Sequence, residues 1–364
     1  MTHPWLDALL GFLADADGSD LHIKAGTRPR IRVDGHMRVL PVPDPVSAVI
    51  TAEVADAIMP AGVRERFGST HEADFAYSSP ELGRYRVNAY LQQGTVALVF
   101  RRVRSVIPTL EELGMPDVVR NLADNPRGLV LVTGPTGSGK TTTLAAVVDR
   151  INRTRECNIV TIEDPVEYLH EDNLASISQR EVGTDTDGFA PALRAAMRQD
   201  PDVILVGEMR DLETVEAALT AAETGHLVLS TLHTIDSSET VNRIVDVFPP
   251  HQQRQARSTL AGTLRGVVSQ RLIPRANAEG RVPAVEVMVV NGRVQAGILE
   301  PQRATELAEL VSEGDYYGMR SFDQSLYELI EAGTIDLDAA LGNASRPHDL
   351  RVRLERAGLV ATGA

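Results

Sequence analysis

Gly134-Pro135-Thr136-Gly137-Ser138-Gly139-Lys140-Thr141-Thr142 places two glycines, a lysine and a threonine at the spacing of a phosphate-binding loop, G-x-x-x-x-G-K-[ST]. Gly134, Gly137 and Gly139 have no Cβ, so the backbone can turn tightly and aim successive N–H groups at one anion. The N-terminus of a following helix adds to that field. Lys140 would reach the β- and γ-phosphates, and the Thr141 hydroxyl would hold Mg²⁺. The pattern needs a strand before it and a helix after it. Gly128–Thr133 reads as a buried strand, and Leu144, Val147, Val148 and Ile151 recur at helical spacing.

Acids follow two later apolar runs. Glu163-Asp164-Pro165-Val166-Glu167 comes after 158–162, and Gly207-Glu208-Met209-Arg210-Asp211 after 203–206; His233-Thr234 follows 227–232. These runs alternate with helical patterns, which predicts a parallel α/β sheet. Such sheets bind ligands at the carboxyl ends of their strands, where these residues fall. Glu163 or Glu208 would orient or deprotonate an attacking water and touch Mg²⁺ through water. Asp164 and Asp211 have a plainer reading as helix caps. His233 is a candidate γ-phosphate partner. His226 enters the set with it, although histidines at strand ends are more often structural. Arg194 and Arg198, four apart on a predicted helix, pair by default with nearby acids.

The first hundred residues have a different texture. Leu6, Leu9, Leu10 and Leu13 predict a short amphipathic helix packed on its own domain. Ile31 and Val33 alternate with arginines, Asp34-Gly35 is a hairpin signal, and Thr51–Met59 reads as a helix with Thr51 as N-cap. Tyr85, Val87, Ala89 and Leu91 share one face of a strand, with Arg84, Arg86 and Asn88 on the other; 95–102 is a second strand carrying Arg101. Arg84, Arg86 and Arg101 are either solvated charge or a positive face that meets phosphate. Residues 1–103 therefore form a small α+β domain, 104–113 a linker containing Pro108, and 114–364 the second domain, helical beyond Asn291.

Bulk properties narrow the class. The chain has 364 residues, a length natural for two domains. Its net charge of −14 argues against general nucleic-acid binding, which needs a basic footprint. Cys157 is the only cysteine, so no internal disulfide and no Cys-rich zinc site can form. That fits a reducing, cytoplasmic setting. No apolar run is long enough to span a bilayer, and the N-terminus lacks a basic signal region.

The second domain resembles the secretion ATPases of the type II secretion and type IV pilus superfamily, PilT-like retraction ATPases in particular. The resemblance rests on four boxes in the family's order: 134–142; 159–170 around Glu163; Arg180-Glu181-Val182-Gly183 with 198–211 around Glu208; and 224–234 around His226 and His233. It extends to Ser19–Ile23, Ile31–Gly35 and Arg84–Asn88 in the first domain. The resemblance implies a PAS-like N-terminal domain, a RecA-like P-loop domain with a mainly parallel sheet, and a homohexameric ring. It implies ATP and Mg as cofactors, with Glu163 and Glu208 as catalytic acids and Arg84, Arg86 and Arg101 completing the site. The function it implies is retraction of a pilus, or twitching motility, through an inner-membrane platform protein. The chain would then associate with the cytoplasmic face of that membrane only through its partner. The relatives that extend pili or drive secretion carry a four-cysteine zinc element and an additional N-terminal domain; this chain has one cysteine and begins at the PAS-like domain. Assembly or secretion motors, and a nucleotide-gated regulator, are the alternatives. One stretch departs from the retraction pattern: in 293–300, Gln295 and Leu299 replace two arginines, and Gly297 weakens the helix by roughly 1 kcal/mol relative to alanine.

Overall fold

The structure, a computed structural model, describes residues 3–33, 35–79, 81–103, 106–277, 280–300, 302 and 306–361. Asp34 of the expected hairpin turn and Arg104 and Ser105 of the expected linker lie outside the described residues. The chain folds as two units, Met1–Val106 with Glu167–Leu169, and Ile107–Val166 with His170–Ala364.

In the first unit the helix Pro4–Asp15 buries Leu6, Leu9, Leu10 and Leu13. Twelve residues are too few to hold a helix in water on propensity alone. Burial of those leucines, at about 1.5–3 kcal/mol each, supplies the stability. They pack with Leu21, Ile23, Tyr85, Leu98 and Phe100. Those partners come from an antiparallel sheet of β1 (Asp20–Lys24), β2 (Arg30–Val33), β3 (His36–Val39), β4 (Glu72–Ser79), β5 (Gly83–Gln92) and β6 (Thr95–Arg102), ordered β3-β2-β1-β6-β5-β4. Tyr85, Val87 and Ala89 face the core as their alternation predicts, whereas Leu91 at the strand's end is 38% exposed. The second helix is Ala48–Ile58, three residues earlier than expected. Ser47, not Thr51, is its N-cap and accepts from the Ile50 N–H; Thr51 is buried in the first turn and donates to the Ala48 carbonyl.

The second unit is built on β7 (Gly128–Thr133), β8 (Asn158–Glu163), β9 (Ser176–Glu181), β10 (Val203–Val206), β11 (Leu227–Leu232), β12 (Leu264–Pro274) and β13 (Arg281–Val289), ordered β13-β12-β7-β11-β10-β8-β9. All neighbours are parallel except the antiparallel pair β12–β13. The sheet is covered on both sides, which is why its strands read as unbroken apolar runs. Period-two alternation sends Leu129 and Leu131 of β7 into one core layer and Val130 and Val132 into the other. The helix Lys140–Thr154 adds Leu144, Val147, Val148 and Ile151 to the second layer. The helices Leu212–Glu223 and Gln253–Thr263 pack into the first. A satellite core of Phe322, Leu326, Leu350 and Leu354 closes over Ile273 and Val282 of the β12–β13 hairpin.

Gly266 sits where the β12–β7 register shifts. A Cβ there would lie 2.7 Å from both Leu122 methyls and 2.9 Å from the Met288 carbonyl oxygen. Gly266→Ala should therefore destabilise the fold by about 1–3 kcal/mol through overpacking. Chemical denaturation checks it, and an unchanged midpoint refutes the close packing.

Candidate nucleotide-binding site

The parallel register brings the ends of β7, β11, β10 and β8 to one edge of the sheet. Thr133 pairs with Leu232, and Val206 with both Ser230 and Ile162. The residue after each strand end therefore emerges on that edge. Gly134 follows β7, His233 follows β11, Gly207 follows β10, and Glu163 is the last residue of β8.

The glycine-rich loop has the backbone its sequence demands. Gly134, Gly137 and Gly139 have φ of 144°, 79° and 89°, conformations that a residue with a Cβ rarely adopts. Space is a second constraint: a Cβ on Gly134 would sit 2.3 Å from the Gln270 carbonyl oxygen. Pro135, Thr136 and Gly137 are exposed, Ser138 and Lys140 are buried, and Thr141 and Thr142 are half-buried on the first turn of the helix. Lys140 Nζ donates to the carbonyls of Gly134 (2.8 Å) and Pro135 (3.1 Å), folding its charge over the loop. Ser138 Oγ is buried without a hydrogen-bond partner among the described residues. A cavity of about 420 Å³ opens on Pro135–Ser138, walled by Ile235, Arg271, Leu272, Arg281 and Asn343. These donors suit a phosphate-bearing ligand, because the loop N–H groups, an ammonium and an orphan hydroxyl all seek an anion.

Glu163 is buried and accepts from Thr161 Oγ1 (2.6 Å) and Gln179 Nε2 (3.3 Å). Its neighbour strand approaches closely, since a Cβ on Gly207 would lie 3.4 Å from Glu163 Cα. Glu208 bonds the Arg210 guanidinium, and its Oε1 is 3.6 Å from His233 Nε2. Burial and the positive charge of Lys140 hold the His233 imidazole below its ordinary pKa; Glu208 opposes them. His233 thus lies within electrostatic reach of both Glu208 and Lys140. Among the described residues no three His, Cys, Asp or Glu side chains cluster as a metal cage. Mg²⁺ in phosphoryl-transfer sites is held through substrate phosphates and retained waters with few protein ligands, a mode that Thr141 and these acids fit.

The other expected residues separate. Asp211 is the N-cap of Leu212–Glu223 and accepts from the Thr214 N–H (2.8 Å) and hydroxyl (3.1 Å), the capping role. Arg194 pairs with Glu213 at 3.5 Å. His226 precedes β11, so a strand of roughly 20 Å separates it from His233. Its Nδ1 lies 2.9 Å from the Ala221 carbonyl and 3.2 Å from Thr224 Oγ1 at the end of the preceding helix. The structure does not bring His226 to the Lys140–Glu208–His233 group. Arg84, Arg86 and Arg101 belong to the first unit, where Arg86 and Arg101 are directly opposed on β5 and β6. Arg101 pairs with Asp20 at 2.8 Å; burial alone would raise the Asp20 pKa, but bonds from Ser19 and Arg101 hold it low.

Three residues given no role by the sequence complete the geometry. Gln179 braces Glu163 and also accepts from the His170 N–H (2.9 Å). Glu181 accepts from the Val166 N–H (3.1 Å) and fixes the turn after Glu163. Gln270 reaches the phosphate loop from β12. The boxes around 180–183 flagged Glu181 only as a pattern; no spacing signal pointed to the two glutamines.

A family model for the type II/IV secretion system protein matches residues 86–321. The chain belongs to this family. The chain is 45% identical to the type IV pilus retraction ATPase PilT of Pseudomonas aeruginosa, over 94% of this chain and 98% of that one. It is 43% identical to a twitching motility protein of Neisseria gonorrhoeae, over 88% and 86%. The crystal structure of the pilus retraction motor PilT with bound ADP superposes with a TM-score of 0.87 at 42% identity, covering 94% of this chain and 99% of that chain. The Legionella pneumophila ATPase DotB superposes at 0.77 with 28% identity, over 93% and 95%. The secretion-family fold is therefore the one described here, an antiparallel first sheet followed by a mostly parallel second.

Two outcomes follow for this family member. The His233 imidazole, followed by NMR, should titrate below the ordinary histidine value and move upward in Lys140→Ala, because one of its three depressing influences (burial, Lys140 and Arg210) is removed. A midpoint unmoved by that substitution breaks the link between them. Asp211→Ala should lower stability by about 1 kcal/mol, the cost of a lost N-cap, while leaving nucleotide turnover within about twofold; a large loss of turnover would contradict a capping role.

Proposed function

We propose that this chain is a Mg-dependent ATP-hydrolysing motor that retracts a type IV pilus, acting as a homohexamer at the cytoplasmic face of the inner membrane on a pilus platform protein. P-loop ATP hydrolysis is its chemistry. The observation that supports the reading most is the buried Lys140 over a complete glycine loop, with His233 within electrostatic reach of both it and Glu208, in a chain 45% identical to a named retraction ATPase over nearly its whole length. Among the described residues no helix is long and apolar enough to cross a membrane, so membrane attachment runs through a partner in this proposal.

On this reading MgATP is the substrate. Backbone N–H groups of the loop beyond Pro135, up to Thr142, cradle its phosphates, and Lys140 Nζ exchanges the Gly134 and Pro135 carbonyls for phosphate oxygens. Thr141 faces the metal. Glu163, held by Thr161 and Gln179, and Glu208, beside His233, orient the attacking water and accept its proton. His233, kept neutral by its depressed pKa, is a hydrogen-bonding partner for the γ-phosphate without adding a charge. Arg84, Arg86 and Arg101 are proposed anion partners.

A second reading, a motor for pilus assembly or secretion, draws on one feature. The helix Gly292–Leu299 keeps its Asn291 cap and buries Val294 and Ile298, yet Leu299 is 48% exposed where the retraction pattern has an arginine. Deleting the gene separates the two: accumulation of surface pili supports retraction, and loss of pili supports assembly.

Steady-state turnover tests the chemistry. Wild type should hydrolyse MgATP, with Lys140→Ala and Glu208→Gln each reduced by at least about 100-fold. Wild type that binds ATP but turns over no faster than these variants overturns the motor and leaves a regulator. Light scattering should give six subunits; a monomer under those conditions refutes the ring.

A further inference from the structure

Gln270 reaches the phosphate loop from outside it and binds the Ser138 carbonyl, yet no role in nucleotide binding has been given to it. It lies on β12, is 2% exposed, and both ends of its amide are used. Nε2 donates to the Ser138 carbonyl at 2.6 Å, and Oε1 accepts from Thr143 Oγ1 at 2.8 Å. The Ser138 carbonyl, which can only accept, settles which way the amide faces, since a flipped amide would set its carbonyl oxygen against it; the fully buried Thr143 hydroxyl then donates to Oε1. The loop is built around this contact. A Cβ on Gly139 would come within 2.8 Å of Nε2, and one on Gly134 within 2.3 Å of the Gln270 carbonyl oxygen.

The consequence follows from peptide geometry. The Ser138 carbonyl and the Gly139 N–H belong to one planar trans unit and point in opposite directions. Holding the carbonyl on β12 therefore turns the Gly139 N–H away from β12, toward the inside of the loop. Gly139, at a φ of 89° and without a Cβ, does not itself restrain this unit. We infer that Gln270 is a positioning residue for nucleotide binding: with Thr143 it locks the Ser138–Gly139 peptide so that the Gly139 N–H is presented to phosphate before ligand arrives. The inference rests on the nucleotide reading above and adds a part to it. Because the lock serves phosphate already present in the ground state, its loss raises Kd and KM and leaves kcat nearly unchanged.

The test is binding of a fluorescent ADP analogue, with KM and kcat for MgATP measured alongside, on full-length wild type, Gln270→Met, Thr143→Val and the double variant. Methionine keeps the length and apolar bulk of glutamine and removes only its polar atoms. Expected are a rise of about tenfold in Kd and KM for Gln270→Met, the scale of one buried hydrogen bond to the loop, with kcat within about threefold. Thr143→Val should give a smaller rise of the same kind. The double variant should be no weaker than Gln270→Met alone, because the hydroxyl acts through the amide. Wild-type affinity in Gln270→Met overturns the inference, even with a lowered melting temperature, since that is the signature of packing alone. Additive losses in the double variant overturn it as well. If Gln270→Met does not fold, Thr143→Val decides: a shifted KM at constant kcat supports the lock, and unchanged kinetics reject it. Wild type that binds no analogue at all rejects the nucleotide reading itself, a result distinct from every variant outcome.

Discussion

The parallel pairing of β7 between β11 and β12 is the constraint on which the rest of this structure depends. Parallel strands end together, so one register decision delivers the glycine loop, the histidine after β11 and the acids after β8 and β10 to a single edge. A one-residue slip of β7 would exchange its two core layers, sending Leu129 and Leu131 where Val130 and Val132 belong. Core packing and site geometry are thus secured by the same alternation. The polar residues at the edge are then held by short local bonds, Thr161 on Glu163 and Arg210 on Glu208, which set side-chain direction without altering the backbone.

Much of this was legible in the sequence where burial is two-sided. β7, β10 and β11 were bounded to the residue, because a strand covered on both faces is an apolar run with sharp polar ends. The loop and its helix were equally plain, since glycine at positive φ and lysine at a fixed spacing have few other uses. Legibility fell where burial is one-sided or partial. β4 buries only Phe75, Tyr77 and Ser79 and has one neighbour, so its pattern was too thin to register. Ser47 and Thr51 both offer a hydroxyl at the start of a helix. Only the fold decides that Thr51 turns inward and donates back to Ala48.

Long-range partnership was the least visible layer. Ser269 and Gln270 are buried polar residues of β12, and their partners are Thr133, Ser138 and Thr143, well over a hundred residues earlier. No periodicity encodes that meeting. His226 and His233 share one box of the sequence, but the extended strand between them puts the two at opposite ends of β11, with the His226 ring against the Ala221 carbonyl at the close of the preceding helix.

The first sheet carries a feature of another kind. Arg32, Asp20, Arg101 and Arg86 stand side by side across β2, β1, β6 and β5. One carboxylate thus answers two of these guanidiniums, at 2.8 Å from Arg101 and 4.0 Å from Arg32. Like charges opposed across a strand pair repel, and salt screens exposed repulsion on a scale of about 10 Å at 0.1 M. The face thus sets an ion pair and an opposed like-charge pair on one guanidinium, Arg101, and added salt screens the attraction and the repulsion together.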